Sequence, residues 1–228
     1  MMIKAIIFDF DGVILDSERI MYLVMQKMFN KYRVELPLSV WSQAIGTQHG
    51  FDSIGYLAKE SGATINRNEF KEERDQLFNK LVDQEEVLPG VKSVIKQAVE
   101  RDLKIGLATS SRGEWPRKHL KRLGLTDYFL SIKSWDDVQK VKPAPDLYLK
   151  TLESLDIEPR EAIAIEDSFN GSLAAKRAGM FCIVVPNAVT KQMPFGHVDG
   201  CFKSLKDVNL DKLINYFTPE EKKFGVGV

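Results

Sequence analysis

The feature that most constrains this chain is a rhythm. Short β-branched runs recur along it, "KAIIFDF", "LKIGLATS", "YFLSIKS", "EAIAIED" and "FCIVVP". Each is followed by a turn, and the later ones are separated by segments of helical period: "GEWPRKHLKRLGL", "PDLYLKTLESLDI" and "SLAAKRAGM". Strand and helix alternating in this way predict an α/β fold, a doubly wound parallel sheet with helices on both faces. In such sheets ligands bind beyond the carboxyl ends of the strands, where the strand order reverses.

One stretch breaks the rhythm. Between about Glu18 and Gln84 there is no strand candidate, only amphipathic helical patterns such as "RIMYLVMQKMFNKY", "DSIGYLAKESG" and "EFKEERDQLFNKLV". "LPGV" (Leu88 to Val91) restarts the alternation, with Pro89 expected in the first turn of a helix. The prediction is an α/β core made of residues 1–16 and 88–228, interrupted after its first strand by a helical insert over residues 17–87. A length of 228 residues accommodates one domain carrying such an insert. The final "KKFGVGV" reads as a loose tail.

Composition narrows the partners. Acidic and basic residues cancel at 32 each, so no net field favours nucleic acid or an anionic membrane. An apolar content of 44% suffices for an ordinary core, and no stretch is as apolar as a membrane span. The start lacks the apolar run of a signal peptide. Two cysteines, Cys182 and Cys201, are too few for a disulfide framework and read as buried free thiols in a reducing compartment. The expectation is a cytoplasmic protein, monomeric or weakly dimeric.

Chemistry enters at the end of the first strand. In "IIFDFDGVILDS", Asp9, Asp11 and Asp16 follow an apolar run that would otherwise be buried. Residues i and i+2 of a strand face the same side, so Asp9 and Asp11 can converge past its end, with Gly12 permitting a tight bend. Three later strands end in the same suggestive way. "IGLATSS" leads Thr109, Ser110 and Ser111 into a helix start, where hydroxyls and free N–H groups suit an anion. "KVKPAP" carries Lys142 in a stiff, extended context before Pro143. "AIAIEDSFNG" ends in Glu166 and Asp167. Singly, these are a turn, an N-cap, a surface lysine and a helix-dipole pair. Together they lie at successive carboxyl ends of one predicted sheet.

The ordered set "DFDG", "ATSS", "VKPAP" and "IEDS" resembles the haloacid dehalogenase (HAD) superfamily. Within it the chain is similar to the helical-cap phosphatases, a subgroup that includes β-phosphoglucomutase. The resemblance covers nearly the whole chain, since the helical insert lies where that subgroup carries its cap. It implies a Rossmann-like core and phosphoryl transfer from a small phosphorylated metabolite. Asp9 would be the nucleophile, forming an aspartyl-phosphate, and Asp11 the general acid/base. Thr109 and the Ser110 N–H would hold phosphate oxygens, and Lys142 would bridge Asp9 and the phosphate. Mg2+ is implied on the Asp9 carboxylate, the Asp11 carbonyl and Asp167, with Glu166 behind them orienting water. Ser168 would help fix that loop.

A charge count tests the set. Four carboxylates and a phosphate dianion outweigh magnesium and Lys142 by about three negative charges, which is costly in a partly dry site. Protonating one carboxylate is the simplest relief, and Asp11 is the natural candidate. The helical insert would choose the phosphoryl acceptor. In register with β-phosphoglucomutase, its substrate-binding histidine and lysine read Met21 and Ile45 here, which weakens the mutase reading. The polar loop "IGTQHGFDS" offers Gly46, Thr47, Gln48 and His49 for substrate, although a plain interhelix turn reads equally well. His119 is expected at the surface and His197 in a loop, while Trp41 and the "MYLVMQKMF" face read as core of the insert. Asp16 is assigned a structural role at the linker. A phospho-accepting signalling module is the competitor, disfavoured because the acids lie on the first and a late strand and the chain is too long. A catalytically quiet binding protein is a third possibility.

Overall fold

The computed structural model describes residues 2–42, 45 and 51–218. Six parallel strands form one sheet in the order β3-β2-β1-β4-β5-β6. They are β1 (Ala5–Phe8), β2 (Lys104–Ala108), β3 (Ser131–Lys133), β4 (Ala162–Glu166), β5 (Phe181–Val184) and β6 (Gly200–Cys201). The five anticipated strands are present with shorter ends. The sixth, two residues long, carries too little pattern to be read from sequence.

Alternation within each strand separates the two faces. Ile6 and Phe8 point into one hydrophobic cluster with Ile105, Leu107, Ile163 and Ile165, while Ala5 and Ile7 point into another with Ala162, Ala164 and Val184. The first face packs on α5 (Val91–Val99), α6 (Glu114–Arg122) and α9 (Leu210–Phe217); the second on α7 (Asp146–Leu155) and α8 (Phe169–Arg177). Every residue of β1 is fully buried, and each large side chain there contributes roughly 1.5–3 kcal/mol. That burial offsets part of the cost of placing charged groups just beyond the strand.

Between β1 and α5 the described residues form only helices: α1 (Ser17–Asn30), α2 (Leu38–Trp41), α3 (Ser53–Ser61) and α4 (Arg67–Val82). Their apolar faces, including Val24, Met25, Met28, Phe29, Trp41 and Leu57, join the cluster of the first sheet face. Met21 is half-buried, packing against the same cluster while also lining an open pocket. The chain leaves and re-enters the sheet at neighbouring points. Leu88 N–H donates to the Ile14 carbonyl at 2.9 Å. Arg19 bonds Asp16 through Nε and reaches Glu85 at 3.2 Å, so one guanidinium ties both crossings together. This gives Asp16 a contact that the sequence did not name.

Several local expectations need correction. Pro89 precedes the helix, and Gly90 (φ +95°) occupies the cap position before Val91. Cys182 is buried but Cys201 is exposed, because β6 is the short edge of the sheet. Lys142 lies in a turn with a cis Lys142–Pro143 bond, not in an extended segment. His197 is in a loop, against Ser172. His119 is fully buried, where a surface position was expected. Its basic neighbours Lys118 and Arg122 disguise a helix face on which Pro116, His119 and Leu120 turn inward. The loop of Gly46, Thr47 and His49 and the C-terminal tail lie outside the described residues. No described helix is long and apolar enough to cross a membrane.

Burial of His119 has a measurable consequence. Desolvation, helped by Lys118 and Arg122, lowers its pKa to about 4. The unfolded chain therefore binds a proton between about pH 6.5 and 4 that the native chain refuses, and stability falls as pH falls through that window. Solvent around the half-exposed Lys118 screens part of its repulsion, leaving about 1 kcal/mol lost between about pH 7 and pH 5. The thermal midpoint of the wild type should fall over that range by more than that of His119→Leu. Parallel curves would contradict the assignment.

Candidate active site

Strand order reverses at β1, which has β2 on one side and β4 on the other. At its carboxyl end, the place such sheets use for ligands, Asp9 continues the ladder by donating its N–H to the Ile165 carbonyl at 2.9 Å. Parallel pairing sets Phe8 opposite Ile165 and Leu107, so the residues after β1, β2 and β4 emerge at one level. A cavity of about 140 Å³ lies there, lined by Asp9, Asp11, Thr109, Ser110, Lys142 and Asp167 among others. Ile45 and Glu18 close it from the helical side.

Lys142 is the electrostatic centre. Its Nζ lies 2.6 Å from Asp9 Oδ1 and 2.6 Å from Glu166 Oε1, with the lysine almost wholly buried. Burial opposes its charge, but the two carboxylates more than reverse that and raise its pKa. Glu166, which no solvent reaches, also accepts from Tyr148 OH at 2.6 Å and Ser168 Oγ at 3.3 Å. A Cβ added to Gly171 would stand 2.1 Å from its carboxylate, so only glycine lets α8 start so close.

Asp9 and Asp167 are less well compensated. Burial pushes the Asp9 carboxyl up to about 7 despite Lys142, and Glu166 and Asp11 add to the rise. Burial also raises Asp167 well above the carboxylate range. Its Oδ2 accepts from Asn187 Nδ2 at 2.6 Å, next to Gly12, where φ is +81° and a side chain would collide with that carboxylate. Ligand atoms of Asp9, Glu166 and Asp167 all lie within 4.8 Å of one another. Three buried carboxylates share one lysine, a deficit of about two positive charges that suits a divalent cation with oxygen ligands. Glu166 already accepts from Lys142, Tyr148 and Ser168, so Asp9 and Asp167 are the freer ligands.

The rim suits an anion. Thr109 Oγ1 accepts from the Ser111 N–H at 3.0 Å, fixing the turn before α6. Ser110 Oγ is buried without a partner, an unmet hydrogen-bonding group facing the site. Asp11 is held from three sides: Ser17 Oγ donates to Oδ1 at 2.5 Å, Trp115 Nε1 to Oδ1 at 2.9 Å and Ser111 Oγ to Oδ2 at 2.6 Å.

Residues 6–185 match the family described as haloacid dehalogenase-like hydrolase. The chain belongs to this family. Among its relatives is the Bacillus subtilis protein named "Putative phosphatase YhcW", 44% identical over 96% of this chain and 100% of its own length. A beta-phosphoglucomutase of the same organism is 31% identical over 92% of this chain and 93% of its own. Among solved structures, CbbY from Rhodobacter sphaeroides in complex with phosphate superposes with a TM-score of 0.72 at 26% identity, covering 90% of this chain and 96% of that one. As a HAD-like hydrolase the chain is an enzyme of the phosphomonoesterase kind.

Several residues at this HAD site escaped the sequence reading. Glu18, in the first turn of α1, lines the cavity, and burial beside Asp11 and Asp9 pushes its pKa to about 8. Ser17 stood inside a quoted motif without a role, and Ser111, read as part of an anion-binding turn, instead donates to Asp11. Tyr148, Asn187 and Trp115 carried no signal, because only packing turns these side chains of α7, the loop after β5 and α6 toward the site. In the fold, burial and neighbouring carboxylates raise the pKa values of Asp9, Asp167 and Glu18.

Proposed function

We propose that the chain is a Mg2+-dependent phosphatase that hydrolyses a phosphomonoester of a small metabolite through an aspartyl-phosphate on Asp9. The observation that carries this reading is the Asp9 carboxylate, bonded to Lys142 and facing a cavity whose wall includes Thr109 and the unpartnered Ser110 hydroxyl. An oxygen of Asp9 attacks phosphorus while Lys142 offsets the repulsion between carboxylate and phosphate. The bond from phosphorus to the leaving oxygen breaks, and Asp11 gives that oxygen a proton. Asp11 then takes a proton from the water that releases phosphate and regenerates Asp9. Thr109 and the Ser110 N–H hold the non-bridging oxygens. Magnesium, which the acidic set fits, would be held by Asp9, Asp167 and the Asp11 carbonyl, with Glu166 behind, and would supply charge neutralisation to the phosphoryl group.

The helical segment over residues 17–87 acts as a cap on a core of residues 1–16 and 88–228, hinged where Arg19 spans Asp16 and Glu85. Closing it would exclude water during transfer. Asn170 Nδ2 donates to the Ile45 carbonyl at 3.1 Å, which brings the segment leading to Gly46, Thr47 and His49 against the core. We assign those three residues to substrate recognition. Hydrolysis is favoured over a mutase reaction because Met21 and Ile45 line the pockets with apolar groups that offer no hydrogen bond to a sugar hydroxyl.

A panel of phosphorylated metabolites, assayed with Mg2+ and with EDTA, tests the proposal. The expected result is phosphate release that EDTA abolishes. Silence across the panel with p-nitrophenyl phosphate also inert would reject it, and an isomerised sugar phosphate in place of free phosphate would restore the mutase.

A further inference from the structure

Trp115 touches the site through a single atom, yet its surroundings fix it firmly. It stands in the first turn of α6, and its ring is stacked on Phe78 of α4 with centroids 5.4 Å apart at 28°. On the same helix, one turn later, the His119 ring lies 4.2 Å from it at 59°. The two rings confine the indole, whose N–H points at Asp11 Oδ1 from 2.9 Å.

We propose that Trp115 is the positioning residue of the general acid. This rests on the reading of Asp11 as that acid. An indole N–H donates and never accepts, whereas a serine hydroxyl does either. Oδ1 accepts from both Trp115 and Ser17 Oγ, the latter 2.5 Å away, so its two lone pairs are engaged and Oδ2 is the oxygen left for a proton. Ser111, 2.6 Å from Oδ2, can reverse its hydrogen bond and accept. The proton of the acid form is thereby directed to Oδ2, on the oxygen shared with Ser111 at the edge of both the inner cavity and the outer pocket of about 290 Å³ that Met21, Phe78 and Trp115 wall. A leaving group departing into that outer pocket meets the protonated oxygen. Because Phe78 belongs to α4, the aim of the acid also depends on where the helical segment sits.

Two measurements test this. The first is kcat/KM on p-nitrophenyl phosphate and phenyl phosphate, two esters of similar shape. The nitro group stabilises the departing phenolate, so only phenyl phosphate depends strongly on protonation. Asp11→Asn should lose about 100-fold more on phenyl phosphate, and Trp115→Phe about tenfold more. An equal loss on both esters for Trp115→Phe, with Asp11→Asn still discriminating, overturns the positioning role alone. If Asp11→Asn itself fails to discriminate, the acid reading falls and this inference with it. The second measurement needs no Trp115 variant to fold. Among the three tryptophans, one indole N–H resonance of the full-length protein should shift markedly on Asp11→Asn while the other two hold. Three unmoved resonances would overturn the proposal.

Discussion

Asp9→Asn is expected to yield a folded protein that releases no phosphate. The amide retains an oxygen for Lys142 but lacks a nucleophilic one, so turnover should fall by at least about 10⁴-fold on every substrate the wild type hydrolyses. Stability should hold or rise. A neutral amide avoids the desolvation that pushes the Asp9 carboxyl to about 7, and Lys142 keeps Glu166 as a counterion. Phosphate release and a calorimetric scan on the same preparation check both halves. A variant with more than about a hundredth of wild-type activity would remove Asp9 from the role of nucleophile.

Lys142→Met should cost both activity and stability. The ammonium sits 2.6 Å from two buried carboxylates, and a thioether of similar length compensates neither. Breaking a buried pair by removing one partner costs roughly 3–5 kcal/mol, which for a chain of this size lowers the midpoint by roughly 10 °C. Added Mg2+ should recover part of the loss, because a cation at the acidic cluster relieves the same repulsion. A midpoint within about 2 °C of wild type without metal would show that the carboxylates are relieved by protonation instead.

Much of this architecture was legible before any coordinates. β1 is four consecutive buried apolar residues, and its end is marked by Asp9 and Asp11, a pattern with no packing explanation. Thr109 and Asp167 could be read because each directly follows a strand and Glu166 because it ends one, and parallel strands deliver their ends to one side. Lys142 was legible only through its motif, since it comes after β3 and a further 3-10 turn at Trp135–Asp137. The residues that orient them could not. Trp115 and His119 form one inward face of α6, but five basic residues between Arg112 and Arg122 mask its periodicity. Tyr148 looks like one more apolar position of α7, and only packing turns its hydroxyl toward Glu166.

By itself the sequence determined the alternation of strand and helix, the interruption by helices after β1, and which residue types end each strand. Those are local properties, fixed by periodicity and turn chemistry over a few residues. The tertiary structure alone decided how charge is shared: Lys142 between Asp9 and Glu166, Asn187 on Asp167, and Ser17, Ser111 and Trp115 around Asp11. Hydrogen bonds and Coulomb terms act across angstroms between groups as many as 133 positions apart in the chain. No pattern along the sequence encodes those distances until the sheet has brought its strand ends together.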